Sequence, residues 1–344
     1  MEPCRRVGVD ITWKCNWRCR HCFYLRNGQL HRGGEVPFQE IRAKIDKGRA
    51  GGLDHVVMVG YGEPSLSKNA IPVIEYAKHH GMASSMITNG ATGLERFKRF
   101  FGAGLDHVHI SAHGLDGTLD KITKTPGSFQ KQTELKEWLV SEGIPYRTNV
   151  TMQILNYTEI PDMVDFELAR SVYHFVFLGF LPHYEWKEHV NTVAVHPGKL
   201  RGYIEEGADR LIEKGTLFTI RYHPFCHLSP MYWKYVVNAR YVHFDPWEWN
   251  YDLQADNLDR LRKYSVNCGE SVSIKTEPCK SCLAYRHCGG WNQRYADAFN
   301  GADLKAITEV PGEYEPVWHR EGGLHDLNRA NCQSGTIRRV ENGN

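Results

Sequence analysis

The stretch Cys15-Asn-Trp-Arg-Cys19-Arg-His-Cys22 decides how the rest of the chain is read. It places three cysteines within eight residues at spacing C-x3-C-x2-C, after a short run of strand type, Val7–Thr12. Three thiolates on one loop hold three irons of a cubane and leave the fourth iron without a protein ligand, open to a small molecule. A tetrahedral zinc site wants a fourth ligand and usually a second paired spacing. His21 offers a nitrogen, but its place beside Cys22 would require an awkward fold-back. Three structural cysteines are the plainer alternative.

Outward from that loop, strand-like and helix-like segments alternate. Strands are expected at Val7–Thr12, His55–Val59, Ala83–Ile87, His107–Ser111, Tyr146–Met152 and Tyr173–Leu178. Helical patterns follow at Phe38–Arg49, Asn69–His80, Gly93–Phe101, Phe129–Glu142, Pro161–Arg170 and Pro197–Lys214. Six βα units in succession imply a parallel sheet with helices outside it, wound as a full or partial barrel. An open doubly wound sheet fits the same pattern. In either case chemistry gathers where strands end. The second strand ends in Gly60-Tyr61-Gly62-Glu63, which permits close backbone approach and offers a carboxylate to a cation. The third ends in Thr88-Asn89-Gly90 and the fourth in Ser111-Ala-His-Gly114. Each is also explained as a turn or a helix cap. The fifth strand carries Asn149 and Thr151, which suit a nucleoside site if they face inward. After the sixth come His183, Tyr184 and Glu185, more simply read as solvated loop residues.

Taken together, the cysteine loop and these strand ends resemble the radical S-adenosylmethionine enzymes. The resemblance implies an α/β fold, a partial (β/α)6 TIM-like barrel. It implies a four-iron four-sulfur cluster on Cys15, Cys19 and Cys22, whose open iron takes the amino and carboxylate groups of S-adenosylmethionine. Reduction by an external donor such as flavodoxin or ferredoxin then releases a 5′-deoxyadenosyl radical that abstracts a hydrogen atom from the substrate. Gly60–Glu63 resembles the family's Gly-Gly-Glu motif, which contacts the methionyl amino group. Tyr61 replaces the first glycine of that pair, a position that acts through its backbone carbonyl. Thr88 and Asn89 are implied near the cofactor, Ser111 on the ribose or methionyl carboxylate, and Tyr24 against the adenine.

Composition narrows the classes. A hydrophobic content of 41% over 344 residues supports a sizeable core, so the chain is not read as disordered. Forty-two basic against 40 acidic residues leave a formal charge of +2, which gives no electrostatic footprint for nucleic acid or an anionic membrane. No apolar run approaches the roughly 18 residues of a spanning helix. The N-terminus lacks a signal-peptide pattern, so ten cysteines read as reduced, metal-binding thiols in a cytoplasmic protein.

Further along, Arg221-Tyr-His-Pro-Phe-Cys226 leads into a Tyr/Trp/His-rich stretch, 222–251. Then come Cys279-Lys-Ser-Cys282 and Cys288-Gly-Gly290, at spacing C-x2-C-x5-C. Zinc fits C-x2-C by geometry. Beside the first motif, this pattern resembles the SPASM or twitch region, which binds auxiliary iron–sulfur clusters. Asn292 stands where the full pattern has another cysteine, so ligands for one auxiliary cluster are implied. Cys226 ranks first as its fourth ligand, with Cys268 and Cys332 as rivals. If Cys268 is not a ligand, it is a candidate hydrogen donor, and Cys4 is a spare thiol. The expected organisation is a barrel at 1–218, an auxiliary-cluster domain at 219–300 and a tail at 301–344. A strand begins almost at once, so no leader-peptide domain is expected ahead of it. That favours a small polar substrate of sugar, aminocyclitol or nucleoside type, undergoing epimerisation, decarboxylation, rearrangement or oxidation. The alternatives are a maturase acting on a ribosomal peptide or protein, and a non-catalytic iron–sulfur or zinc protein.

Overall fold

The computed structural model describes residues 6–22, 34–180, 187–237, 273–285, 288–299 and 303–310. Its strands begin with β1 (Arg6–Asp10), β2 (His55–Val59), β3 (Ala83–Thr88), β4 (His107–Ser111), β5 (Tyr146–Met152) and β6 (His174–Gly179). These are the six expected strands, shifted by at most two residues at an end. Two more extend the sheet, β7 (Leu217–Arg221) and the short β8 (Val236–Val237). All eight pair in parallel in the order β1-β2-β3-β4-β5-β6-β7-β8. A doubly wound sheet would reverse its strand order at a switch point. Here the order never reverses, so the sheet curls one way as a partial TIM barrel. A separate antiparallel pair joins β9 (Ser273–Ile274) to β10 (Trp291–Asn292).

The helices are α1 (Phe38–Ala50), α2 (Ala70–His79), α3 (Leu94–Ala103), α4 (Asp116–Thr123), α5 (Ser128–Ser141), α6 (Ile160–Leu168), α7 (Lys187–Val193), α8 (Pro197–Glu213) and α9 (Gln293–Ala298). In α1, Ile41 and Ile45 lie one turn apart on the buried side. Glu40 in its first turn and Lys47 and Arg49 in its last complement the helix dipole. The sequence just after Gly114 forms α4.

Alternation along the strands sets the two faces of the sheet. Val7, Val9, Val56, Met58, Met86, Val108 and Ile110 point outward and pack with Ile41, Ile45, Ile74, Phe97 and Leu139 of the helices. Phe175, Phe177, Phe218 and Ile220 do the same against Ile160, Val164, Leu200 and Ile204. Each such burial contributes about 1.5–3 kcal/mol. The other face mixes polar with apolar residues: His55, Ser85, His107, His109, Arg147, His174 and Thr219 are all buried there, in register with Val57, Ile87 and Val176. His55 and His107 meet at 5.3 Å, and His107 stacks on His109 at 5.0 Å. Burial, with Arg6 and Arg147 nearby, holds the His107 imidazole neutral, its pKa lowered to about 3. Among the described residues no helix is long and apolar enough to cross a membrane.

Parallel pairing puts every strand's C-terminal end on one side. The loops after β1, β2, β3 and β4 therefore share that side with the segment after β7, which holds Cys226.

Candidate active site

The cysteine loop crosses this end of the sheet and is tied down from several directions. Arg18 and Arg20 donate their backbone N–H groups to the carbonyls of Thr123 (2.9 Å) and Ile122 (2.9 Å), at the end of α4. Trp17, 3% exposed, packs with Ala91 and Leu119 and covers Cys15 and Cys19. The Asn16 side chain donates to the Ala91 carbonyl at 3.3 Å, and its oxygen accepts from Asn89 Nδ2 at 2.7 Å. Gly62 lies directly under the loop: a Cβ there would stand 2.1 Å from the Lys14 carbonyl oxygen, so only glycine fits. The Glu63 N–H then donates to that carbonyl at 2.6 Å.

The Glu63 carboxylate is 3% exposed and takes four donors. Oε1 accepts from the Ser65 N–H (3.0 Å), the Ser65 hydroxyl (2.6 Å) and the Thr88 hydroxyl (2.5 Å). Oε2 accepts from the Asn89 N–H at 2.7 Å. Glu63, Thr88 and Asn89 thus form one bracket joining β2, β3 and the cysteine loop. The expectation of a carboxylate offered outright to a cation meets one already occupied by the protein. Tyr61 stacks face to face on Trp13, with centroids 3.9 Å apart and planes 7° off parallel. Ser111 and Asn149 are register partners on β4 and β5, the Asn149 side-chain oxygen accepting from Arg147 Nε at 3.1 Å. Tyr24 lies outside the described residues, as do Cys4, His183, Tyr184, Glu185, Cys268, Cys332 and the 241–251 part of the aromatic stretch.

Burial dominates the electrostatics of this site, and the Trp17 N–H, 3.4 Å from Cys15 Sγ, offsets part of it. Burial pushes the Cys15 thiol up to about 12, and the Glu63 carboxylate adds to the rise. Cys19 is raised as well, by burial first and then by Cys15 and Cys22. Three thiols crowded with a carboxylate become thiolates together only against a compensating positive centre, which is what a cluster's irons provide. Two residues unremarked in the sequence join them. His21 packs edge-on against His113, centroids 4.4 Å apart, and its Nδ1 lies 2.9 Å from Gln153 Nε2. Burial lowers the His21 pKa to about 4. His113 in turn accepts the Thr151 N–H at 3.2 Å. His113 sits within the quoted Ser111–Gly114 run, whereas nothing local marks Gln153.

The second set of cysteines closes around a cavity. Cys226, Cys279, Cys282 and Cys288 line it, with Phe225, Lys275, Lys305 and Ile307. Each sulfur has a polar neighbour. The Gly290 N–H reaches Cys288 at 3.3 Å, the Ile307 N–H reaches Cys282 at 3.3 Å, and the Thr276 hydroxyl lies 3.7 Å from Cys279. The Lys305 N–H eases the Cys226 thiol, which burial otherwise pushes up to about 12. Burial also raises Cys288, against the pull of backbone N–H groups and Lys275. Gly290 has φ +77, and a Cβ there would stand 2.3 Å from the Ile274 carbonyl oxygen. Asn292, in the place of the absent cysteine, caps α9 by accepting the Arg294 N–H at 2.9 Å. The buried His223 ring packs edge-on against Trp291, centroids 5.5 Å apart. No disulfide joins the described cysteines. Among the described residues no three His, Cys, Asp or Glu side chains converge on one point as a single ion requires. A cluster spreads its ligands over several metal atoms.

Residues 9–166 match the model of the radical SAM superfamily. The matched stretch, from β1 into α6, is a radical SAM region. A match to that superfamily implies a four-iron four-sulfur cluster and S-adenosylmethionine. The radical SAM region is 31% identical over 167 residues to a probable GTP 3′,8-cyclase of Thermococcus kodakarensis, covering 48% of this chain and 53% of that one. It is 27% identical over 166 residues to a PqqA peptide cyclase of Rhodopseudomonas palustris, covering 47% and 43%. The chain spans about half the length of the curated relatives it matches. The structure of Streptococcus suis SuiB bound to precursor peptide SuiA superposes with a TM-score of 0.58 at 14% identity, covering 88% of this chain and 75% of that one. That likeness is one of fold.

Proposed function

We propose that this radical SAM enzyme is a maturase that modifies a peptide or protein through hydrogen-atom abstraction. Cys226 joins Cys279, Cys282 and Cys288 around one cavity, and its segment leaves the same end of the sheet as the Cys15 loop. This observation carries the reading of an enzyme with two metal clusters. Support for a peptide comes from relatives named as PqqA peptide cyclases and from the fold shared along most of the chain with an enzyme solved with its precursor peptide. On this reading the peptide alternative moves ahead of the small polar substrate expected from sequence. A nucleotide-type substrate is the second reading, favoured by the GTP 3′,8-cyclase relative and the polar residues on the inner face of the barrel.

Cys15, Cys19 and Cys22 would hold the first cluster. When bound, it supplies the electron that cleaves S-adenosylmethionine. The protein's part is positional. Glu63, Thr88 and Asn89 fix the loop against β2 and β3, and Trp17 packs against Cys15 and Cys19. Ser111 and Asn149 present polar groups from adjacent strands to the ribose or methionyl end. Cys226, Cys279, Cys282 and Cys288 would hold the auxiliary cluster, with hydrogen bonds that favour a reduced state. Cys268 stays the proposed hydrogen donor, and a flavodoxin or ferredoxin the electron source.

The deciding measurement is deuterium transfer into 5′-deoxyadenosine under anaerobic, reducing conditions. Deuterated short peptides encoded beside the gene are compared with deuterated sugars and nucleosides. Transfer from a peptide is the expected result. Transfer solely from a sugar or nucleoside would overturn the maturase reading in favour of the second.

A further inference from the structure

We infer that Lys136 is a positioning residue for the S-adenosylmethionine site, acting through the side-chain amide of Gln132. The inference rests on reading the ends of β3 and β4 as part of that site. Gln132 and Lys136 lie one turn apart on α5, 1% and 2% exposed, in a buried stripe completed by Leu135 and Leu139. A lysine is rarely buried unless paired. Lys136 Nζ meets Glu167 Oε1 at 2.5 Å and donates to Gln132 Oε1 at 3.2 Å. Glu167 Oε2 accepts the Tyr146 hydroxyl at 2.9 Å.

The other end of the Gln132 amide does the positioning. Its Nε2 donates to the Asn89 carbonyl at 2.8 Å and to the Ser111 carbonyl at 3.1 Å. One amide therefore staples the ends of two adjacent strands. Asn89 also holds Asn16 of the cysteine loop and donates its N–H to Glu63, so the staple acts on the bracket that seats the loop. An ammonium group has donors only. Facing one, Gln132 must present its oxygen, and its NH2 group then necessarily meets the two carbonyls. Without the ammonium, Oε1 is buried with no donor, and a flipped amide would set oxygen against two carbonyl oxygens. Lys136 thus selects the orientation of Gln132, a task distinct from the stability of its ion pair.

The two tasks separate in variants of the anaerobically reconstituted enzyme. Iron content, melting temperature and the dissociation constant for S-adenosylmethionine are measured for each. Lys136→Met is expected to lower the melting temperature and weaken cofactor binding about tenfold, the size of one buried hydrogen-bonding staple lost. Replacing the whole polar group by Lys136→Met/Glu167→Leu/Tyr146→Phe should recover most of the stability, because apolar residues substitute well for buried ion pairs. The cofactor defect should persist. Gln132→Leu should show the same defect, and adding Lys136→Met to it should change affinity less than about twofold. Wild-type affinity in the triple variant would overturn the inference and leave Lys136 a core strut. So would additive losses in the Gln132→Leu background, a comparison that decides the matter even where the triple variant fails to fold. A wild-type enzyme that retains its iron but binds no S-adenosylmethionine would instead overturn the underlying site assignment.

Discussion

The two cysteine regions share burial and backbone N–H donors and differ in the charge beside them. The buried Glu63 carboxylate pushes the Cys15 and Cys19 thiols further up, against the Trp17 N–H that reaches Cys15 at 3.4 Å. Backbone N–H groups reach Cys226, Cys282 and Cys288, and Lys275 pulls Cys288 down. Negative charge raises the energy of an added electron, while donors and cations lower it. A carboxylate beside the first region and a lysine beside the second therefore favour opposite changes of charge. The lesson is that the neighbours of the cysteines, more than their number, distinguish two sites built from the same thiols.

The largest expected effect tests whether the first region is a metal centre at all. Replacing Cys15, Cys19 and Cys22 together by Ala should abolish 5′-deoxyadenosine formation, measured by chromatography after anaerobic reduction. Residual reductive cleavage at the wild-type rate would erase the distinction between the two regions. Next comes the composition of the second region. The intact chain should hold about eight irons if both clusters are cubanes. Cys226→Ala should bring the count down toward four, while Cys268→Ala and Cys332→Ala leave it unchanged. A loss in the Cys268 variant with none in Cys226→Ala would reassign the fourth ligand.

A smaller effect addresses the charge contrast itself. Glu63→Gln removes the carboxylate charge and turns one of its two acceptor atoms into a donor, so it should cost about 1–3 kcal/mol in denaturant unfolding. It should also raise the reduction potential of the first cluster alone, as followed by electron paramagnetic resonance titration. Equal shifts at both clusters would mean that Glu63 does not discriminate between them. The smallest expected effect is at Thr276, whose hydroxyl lies near Cys279. A weak donor to sulfur is worth roughly 0.5 kcal/mol. Thr276→Val should therefore lower the second potential by about 20 mV and leave the first unmoved.

Much of this was legible in the chain because it depends on local spacing. Six βα units appear as alternating strand and helix patterns, and the first cysteine loop as three thiols within two turns of backbone. The extra strands were not legible. Leu217–Arg221 begins where the composition turns aromatic, and Val236–Val237 is too short to show a period. Gly62 was readable as a permissive glycine, but the Lys14 carbonyl 2.1 Å from where its Cβ would stand belongs to a segment 48 residues earlier.

Sequence by itself determined the order of elements, the parallel sheet and the first cysteine motif, since side-chain period and loop spacing act over a few residues. Only the tertiary structure decided how β7 delivers Cys226 to cysteines more than fifty residues away. It alone showed Glu63 holding Thr88 and Asn89, and paired His21 with Gln153. The same holds for Gln132 and Lys136. They are buried because Glu167 and the carbonyls of Asn89 and Ser111 come to meet them from other elements. Burial and hydrogen bonding belong to pairs of residues, and those pairs exist only once the chain has closed on itself.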